Sequence, residues 1–191
     1  MRRQTTTFGI AATLLLATLQ VAIAQDGASK EDTKRAEERQ RADSNAELTL
    51  QELFAGNEDA KALYDKAAGY AVFSATKAGF VVSGGGGTGV AVDKKTGNRT
   101  YMKMGTGGVG LSFGARRYDL VILFETEARL QTFIDGGWDS SAAANATAGR
   151  GSAGVASTFF DGVAFYQLTN KGLMASADVS GTRFWVAEDL N

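Results

Sequence analysis

The sequence predicts an α+β domain, mainly β: an antiparallel sheet folded into a sandwich or barrel, with short N-terminal helices and one inserted helix. Three observations carry this. Short apolar runs bounded by glycine or polar clusters recur from residue 70 to residue 187, the pattern of many strands joined by tight turns. Twelve of the 36 residues from Gly79 to Gly114 are glycine, a density that marks bulges, tight corners or close backbone approach. Helical spacing of apolar residues is confined to two short stretches, 50–67 and 128–134.

Residues 1–24 read as a targeting peptide. Arg2 and Arg3 give a positive start, residues 8–19 an apolar middle, and Ala22-Ile23-Ala24 a small-residue cleavage site. Thr13 and Thr18 interrupt the middle, which is shorter than the roughly 18–20 apolar residues of a membrane span. Cleavage and export to the periplasm or the extracellular side are therefore expected, with membrane association as a further possibility. Residues 25–45 follow as a charged linker or solvated helix. Residues 26–47 hold seven acids and five bases with almost no large apolar side chain, and Glu31 with Arg35 and Glu37 with Arg41 fall at helical spacing.

The folded domain is expected over residues 46–191, long enough for one core. Leu50, Leu53, Phe54, Leu63, Tyr64 and Ala67 mark one or two short helices, interrupted at Gly56-Asn57 and closed at Gly69. Strands are expected at residues 70–73, 79–82, 89–92, 100–104, 109–113 and 118–124, the last apolar enough to be central. Thr96-Gly97-Asn98 suits a hairpin turn. Ala128, Leu130, Phe133 and Ile134 then line one face of a single helix. Three more strands follow at 163–168, 173–179 and 182–187, with a turn at 169–172.

Composition removes whole classes of chemistry. The 191 residues include no Cys, His or Pro. Without Cys there are no disulfides, thiolate nucleophiles or zinc–thiolate sites. Without His, the Ser-His-Asp and Cys-His arrangements cannot be built, and a metal would have to be a hard cation held by oxygen. No catalytic residue, metal site or cofactor is assigned. The pattern GxGxxG occurs at Gly84-Gly86-Gly89, at Gly105-Gly107-Gly110 and at Gly149-Gly151-Gly154, but a dinucleotide site needs it between a strand and a helix. The spacing of a phosphate loop fails too, because Val90 stands where Lys is required. Asp119, in Arg116-Arg117-Tyr118-Asp119, suits a structural ion pair better than a general acid. Tyr166, Trp138 and Trp185 could line a groove, although aromatics at strand spacing usually belong to a core.

Charge placement is more informative. Residues 77–117 carry Lys77, Lys94, Lys95, Arg99, Lys103, Arg116 and Arg117 against the single acid Asp93, a net +6. The rest of the chain beyond residue 24 is at −9. If the strand ends cluster, this is a basic face on an acidic protein, suited to phosphate-bearing headgroups. Nucleic acid is not expected, since exposed aromatics are not interleaved with the bases.

The residues also carry a family likeness. Gly69-Tyr70-Ala71-Val72-Phe73, Lys77-Ala78-Gly79-Phe80-Val81-Val82-Ser83-Gly84 and Gly87-Thr88-Gly89-Val90 resemble the opening signature of the SYLF domain. Gly107-Gly108-Val109-Gly110-Leu111-Ser112-Phe113-Gly114 and Asp119-Leu120-Val121-Ile122-Leu123 are similar to its central strands. Ala148-Gly149-Arg150-Gly151 and the stretch from Tyr166 through Lys171-Gly172-Leu173 are similar to its closing third. The resemblance covers residues 48–187 and makes 46–191 a SYLF-like β-rich domain. It implies a lipid-binding module, described in eukaryotic members as binding phosphoinositides and in some actin, with no enzymatic activity; bacterial members are usually exported. Eukaryotic members grip membranes with a basic amphipathic helix, whereas here Glu47, Glu52, Glu58, Asp59 and Asp65 outnumber Lys61 and Lys66. The family's Trp-Ser-x-Pro stretch is replaced by Asn98-Arg99-Thr100-Tyr101, and its Gly-Pro by Ala148-Gly149. Actin is set aside for an exported bacterial-type protein.

The resulting expectation is an exported, non-catalytic envelope protein that binds phospholipid or another anionic amphiphile. The contacts expected to bind the lipid headgroup are Lys77, Lys103, Arg116, Arg117 and Arg150. The alternative is a structural or protein-interaction module of the envelope, with an envelope protein as partner and no lipid ligand.

Overall fold

Charges repeating at three- and four-residue intervals favour helix, and the described residues begin as one. In the computed structural model, which describes residues 11–79, 82–109, 114–136, 158–170, 172–173 and 181–191, helix α1 runs Ala11–Gly56. The chain divides into two units, Met1–Glu38 and Arg39–Asn191. In the first, Arg35 pairs with Glu31 at 3.4 Å and Lys34 with Glu38 at 3.9 Å along the solvated helix. No helix among the described residues is long and apolar enough to cross a membrane.

The second unit holds the sheet. Its part of α1 buries Ala42, Ala46, Leu50 and Leu53, the helical spacing that the sequence displays from Leu50 onward. Gly56 ends α1, and Asn57 caps α2 (Glu58–Lys66) by accepting from the Ala60 amide at 2.8 Å. Glu58 and Asp59 sit in the first turn and Lys66 in the last, matching the helix dipole. Gly69 does not close this helix; it is the first residue of β1.

Among the described residues seven antiparallel strands follow: β1 (Gly69–Gly79), β2 (Val82–Asp93), β3 (Arg99–Val109), β4 (Gly114–Phe124), β5 (Val163–Thr169), β6 (Gly172–Leu173) and β7 (Thr182–Val186). Their order is β6-β5-β4-β1-β2-β3-β7, an open sheet. The expected class, α+β and mainly β, is what forms, as one open sheet among the described residues and not as a sandwich or closed barrel. Strands β1 and β2 are longer than their apolar runs because β1 is flanked by β2 on one side and β4 on the other, and both pairings extend to Gly79. The polar stretch from Ser74 to Lys77 is therefore held extended by ladder bonds rather than by its own preferences. Helix α3 (Glu127–Ile134), capped by Thr126, is the inserted helix. The strands expected at 109–113 and 173–179 lie almost wholly outside the described residues.

The sheet coils. Phe73 on β1 and Phe184 on β7 are three strand spacings apart, roughly 14 Å in a flat sheet, yet their rings lie 5.0 Å apart. Phe133 of α3 touches both, at 6.2 and 5.1 Å, and Phe124 at 5.0 Å. The concave face thus closes around α3, with Ala71, Met102, Met104, Leu120 and Ile122 completing its core. The convex face buries Val72, Val90, Val121 and Leu123 beneath Ala46, Leu50 and Leu53 of α1 and Leu63 of α2. Glycines on β2 permit the coiling: a Cβ on Gly87 would lie 2.3 Å from the Ser74 carbonyl oxygen, and one on Gly89 2.2 Å from that of Val72.

Where α2 meets β1, the rings of Tyr64 and Tyr70 pack at 5.4 Å. Lys94 lies over the Tyr64 ring at 4.3 Å and donates to the Tyr64 carbonyl at 2.5 Å, closing the end of α2. Burial pushes the Tyr70 hydroxyl up to about 12 from 10.0.

Two outcomes follow. Phe133→Ala removes the ring that joins α3 to both limbs of the coil, and should lower unfolding free energy by about 3–5 kcal/mol in urea titrations. Tyr70 is more readily ionised in the unfolded chain, so its contribution is complete below pH 10 and disappears as pH rises from 10 towards about 12. Tyr70→Phe should accordingly lose less of its urea midpoint than wild type over that alkaline range; an equal loss would exclude Tyr70 as the source.

Candidate functional site

Alternation along a strand sends successive side chains to opposite faces, and the convex face changes character along its length. At the β1–β4 end near α2 it is apolar. Further on, the same face carries Ser74 and Thr76 of β1, Gly86 and Thr88 of β2, Lys103 and Gly105 of β3, and Arg117 of β4. Arg41, Ala42 and Asn45 of α1 form the opposite wall, and Trp185 of β7 closes one side, enclosing a groove of about 710 Å³. That volume suits a small ligand or headgroup.

Polar contacts hold α1 over this half of the sheet. Asn45 Nδ2 donates to Asp119 Oδ1 at 3.2 Å. Asp43 accepts from Arg99 at 2.7 Å and from the Tyr101 hydroxyl at 3.1 Å. The Arg99 guanidinium is held above its ordinary pKa by the bond to Asp43. Burial, followed by the Asp43 carboxylate, raises the Tyr101 hydroxyl. Asp119, expected in an ion pair beside Arg116 and Arg117, takes Asn45 as its partner instead and serves as an anchor for the helix.

The groove brings together cations, hydroxyls and bare backbone. Lys103 Nζ lies 2.7 and 2.9 Å from the two carboxylate oxygens of Asp189. Arg117 is exposed on the same face. Gly86 and Gly105 present no side chain, and the Trp185 ring lies across Gly105, with its nearest atom 3.2 Å from where a Cβ would stand. Trp185 is 46% exposed. Of the apolar residues, Ala42 is small and Met104 is buried on the concave side, so the groove has no aliphatic lining for an acyl chain. It can recognise a polar anion by charge and hydrogen bonding.

Of the five cations expected to form a headgroup site, Lys103 and Arg117 meet in this groove. Lys77 and Arg116 are paired in register on the opposite face, because adjacent strand residues cannot share a face. Arg150 lies outside the described residues, as does Trp138. Tyr166 is a fully buried core ring. Arg41, Asn45 and Trp185 complete the site; the first two belong to a helix whose partner face the sequence does not reveal. Among the described residues no three acidic side chains converge as a metal site would require.

A coiled antiparallel sheet with helices on both faces and a cationic groove defines a small binding module. The family model described as Ysc84, Las17-binding protein actin regulator, matches residues 105–191. Beta cell expansion factor A from Aeromonas veronii is 41% identical over 145 residues, covering 76% of this chain and 56% of that protein. The aligned stretch thus spans little more than half of that relative's length. Residues 105–191 thus match the SYLF (Ysc84) family. That match supports a lipid-binding or interaction module in general, in a family whose members are generally non-catalytic.

The groove floor and the coil make opposite demands on neighbouring glycines. A Cβ on Gly86 meets nothing nearer than the Met104 carbonyl oxygen at 3.4 Å, whereas one on Gly87 collides with β1 backbone. Gly86→Val should fill the groove with little change in thermal midpoint, while Gly87→Val should lower the midpoint sharply. Equal midpoints in the two variants, read by circular dichroism, would contradict this division.

Proposed function

We propose that this protein is an exported, non-catalytic envelope module that binds the anionic headgroup of a phospholipid or similar amphiphile in the groove between α1 and the convex face of the sheet. The observation that carries the reading is the convergence of Arg41, Lys103 and Arg117 on one concavity with the hydroxyls of Ser74, Thr76 and Thr88. Cations supply attraction to phosphate, hydroxyls and exposed backbone supply hydrogen bonds, and the acyl chains remain outside a groove without aliphatic lining. Support for export comes from Arg2-Arg3, the apolar middle of residues 8–19 and Ala22-Ile23-Ala24. The family match supports lipid binding or protein interaction in general, and a protein partner in the envelope is the competing reading.

Co-sedimentation with phosphatidylcholine vesicles containing increasing phosphatidylglycerol tests it. Binding should rise with anionic lipid and fall with salt, because exposed charges are screened over a Debye length of about 8–10 Å. Arg117→Ala should weaken binding by about fivefold, since one cation near an anionic surface contributes about 1 kcal/mol. Lys77→Ala, on the other face, should weaken it less. Equal losses in the two variants would remove the groove as the site, and no binding under any condition would favour a protein partner.

A further inference from the structure

We infer that Asp189, on the C-terminal tail, is a built-in competitor for the anion in the groove, setting its affinity and its preference among phosphates of different charge. The inference rests on the headgroup reading above.

The tail is fastened on both sides of Asp189. The Ala187 amide donates to the Tyr101 carbonyl at 2.9 Å. Asn191 accepts from the Tyr101 amide at 2.9 Å and donates to the Tyr101 and Ala187 carbonyls at 2.9 and 2.7 Å. Ala187 and Leu190 are each 1% exposed. Backbone and buried side chains thus set where the Asp189 carboxylate stands, and both its oxygens face the Lys103 ammonium. Lys103 lines the groove, so an anion that approaches it meets a fixed negative charge already in place.

Two consequences follow from Coulomb's law. Removing the carboxylate strengthens anion binding. The gain also grows with ligand charge, because repulsion scales with the product of charges. Asp189 therefore disfavours a phosphate monoester, which approaches two negative charges, more than a diester, which carries one. A residue that merely held Lys103 in place would behave in the opposite way, and its loss would weaken binding.

The test measures vesicle co-sedimentation at low salt for wild type, Asp189→Asn, Lys103→Met, the double variant, and Glu125→Gln as a control for net charge at an exposed acid. Vesicles are phosphatidylcholine with either phosphatidylglycerol, a diester, or phosphatidic acid, a monoester. Asp189→Asn should bind about threefold to tenfold more tightly than wild type, with the larger gain on phosphatidic acid, and the gain should shrink in the Lys103→Met background, where no ammonium is left to compete for and only through-space repulsion is relieved. Isothermal titration with inorganic phosphate separates the two sources of the anion: a gain there supports competition for free phosphate, and a gain confined to vesicles supports competition for a headgroup. Wild-type protein that does not bind overturns the groove reading and this inference together. Wild-type binding that Arg117→Ala weakens while Asp189→Asn leaves it unchanged or weaker overturns the inference alone. An equal gain from Glu125→Gln, equal gains on the two lipids, or a gain undiminished in the Lys103→Met background also overturns it.

Discussion

The contact between Phe73 and Phe184 around Phe133 is the constraint on which the rest of the structure depends. Two rings on strands three spacings apart meet only if the sheet between them coils, and coiling demands close passage of β2 over β1. Side chains at Gly87 and Gly89 would block that passage, because their Cβ atoms would lie within 2.3 Å of β1 carbonyl oxygens. Gly85, Gly87 and Gly89 are thus first a condition of curvature. The loss of local strand stability that glycine brings is offset by an aromatic cluster that only the coiled form can assemble.

Coiling also divides the work of the two faces. The concave face is committed to α3 and cannot expose a ligand site in its apolar part. The convex face has more area than α1 and α2 can cover, and its pattern changes from valine and leucine to serine, threonine, glycine and arginine along the strands. Where it is apolar, Ala46, Leu50 and Leu53 press directly on it. Where it is polar, Asn45 and Asp43 attach the helix by hydrogen bonds and an ion pair. Such contacts tolerate a solvated gap beneath them, as apolar packing does not. The groove is therefore a product of the point at which α1 stops being a core helix.

Much of the architecture is legible in the sequence, and the exceptions have physical causes. The apolar periods of 50–67 and 128–134 become helices, and the Gly56-Asn57 interruption and the Thr96-Gly97-Asn98 turn stand where they are read. Strand lengths are not legible, since Ser74, Thr76 and Lys77 are extended by partners on both sides rather than by their own character. The site is half legible for a simpler reason. Arg116 and Arg117 are adjacent in sequence, which suggests joint action, but alternation places them on opposite faces, and Lys77 follows Arg116 through register. Alternation alone could have separated them. Trp185, which the sequence offers as a groove ring, does line the groove, whereas Arg41 and Asn45 required the tertiary structure, because nothing local says which strands a helix will face.

The groove's composition limits what kind of affinity it can have. With cations, hydroxyls, glycine backbone and one half-exposed indole, it contains little apolar surface to remove from water, so burial at about 25 cal/mol per Å² contributes little. Its attraction is electrostatic and acts through partly hydrated groups, where each pair is worth about 1 kcal/mol or less. A single headgroup in free solution would then be held weakly. A surface crowded with such headgroups presents them at high local concentration, with the groove and the surrounding basic strands engaged together, and modest contacts add through their simultaneous engagement. On the proposed headgroup reading, an isolated anion and an anionic surface would make the same contacts with Lys103 and Arg117 at very different apparent strength. The physical form of such a ligand would then matter as much as its chemistry.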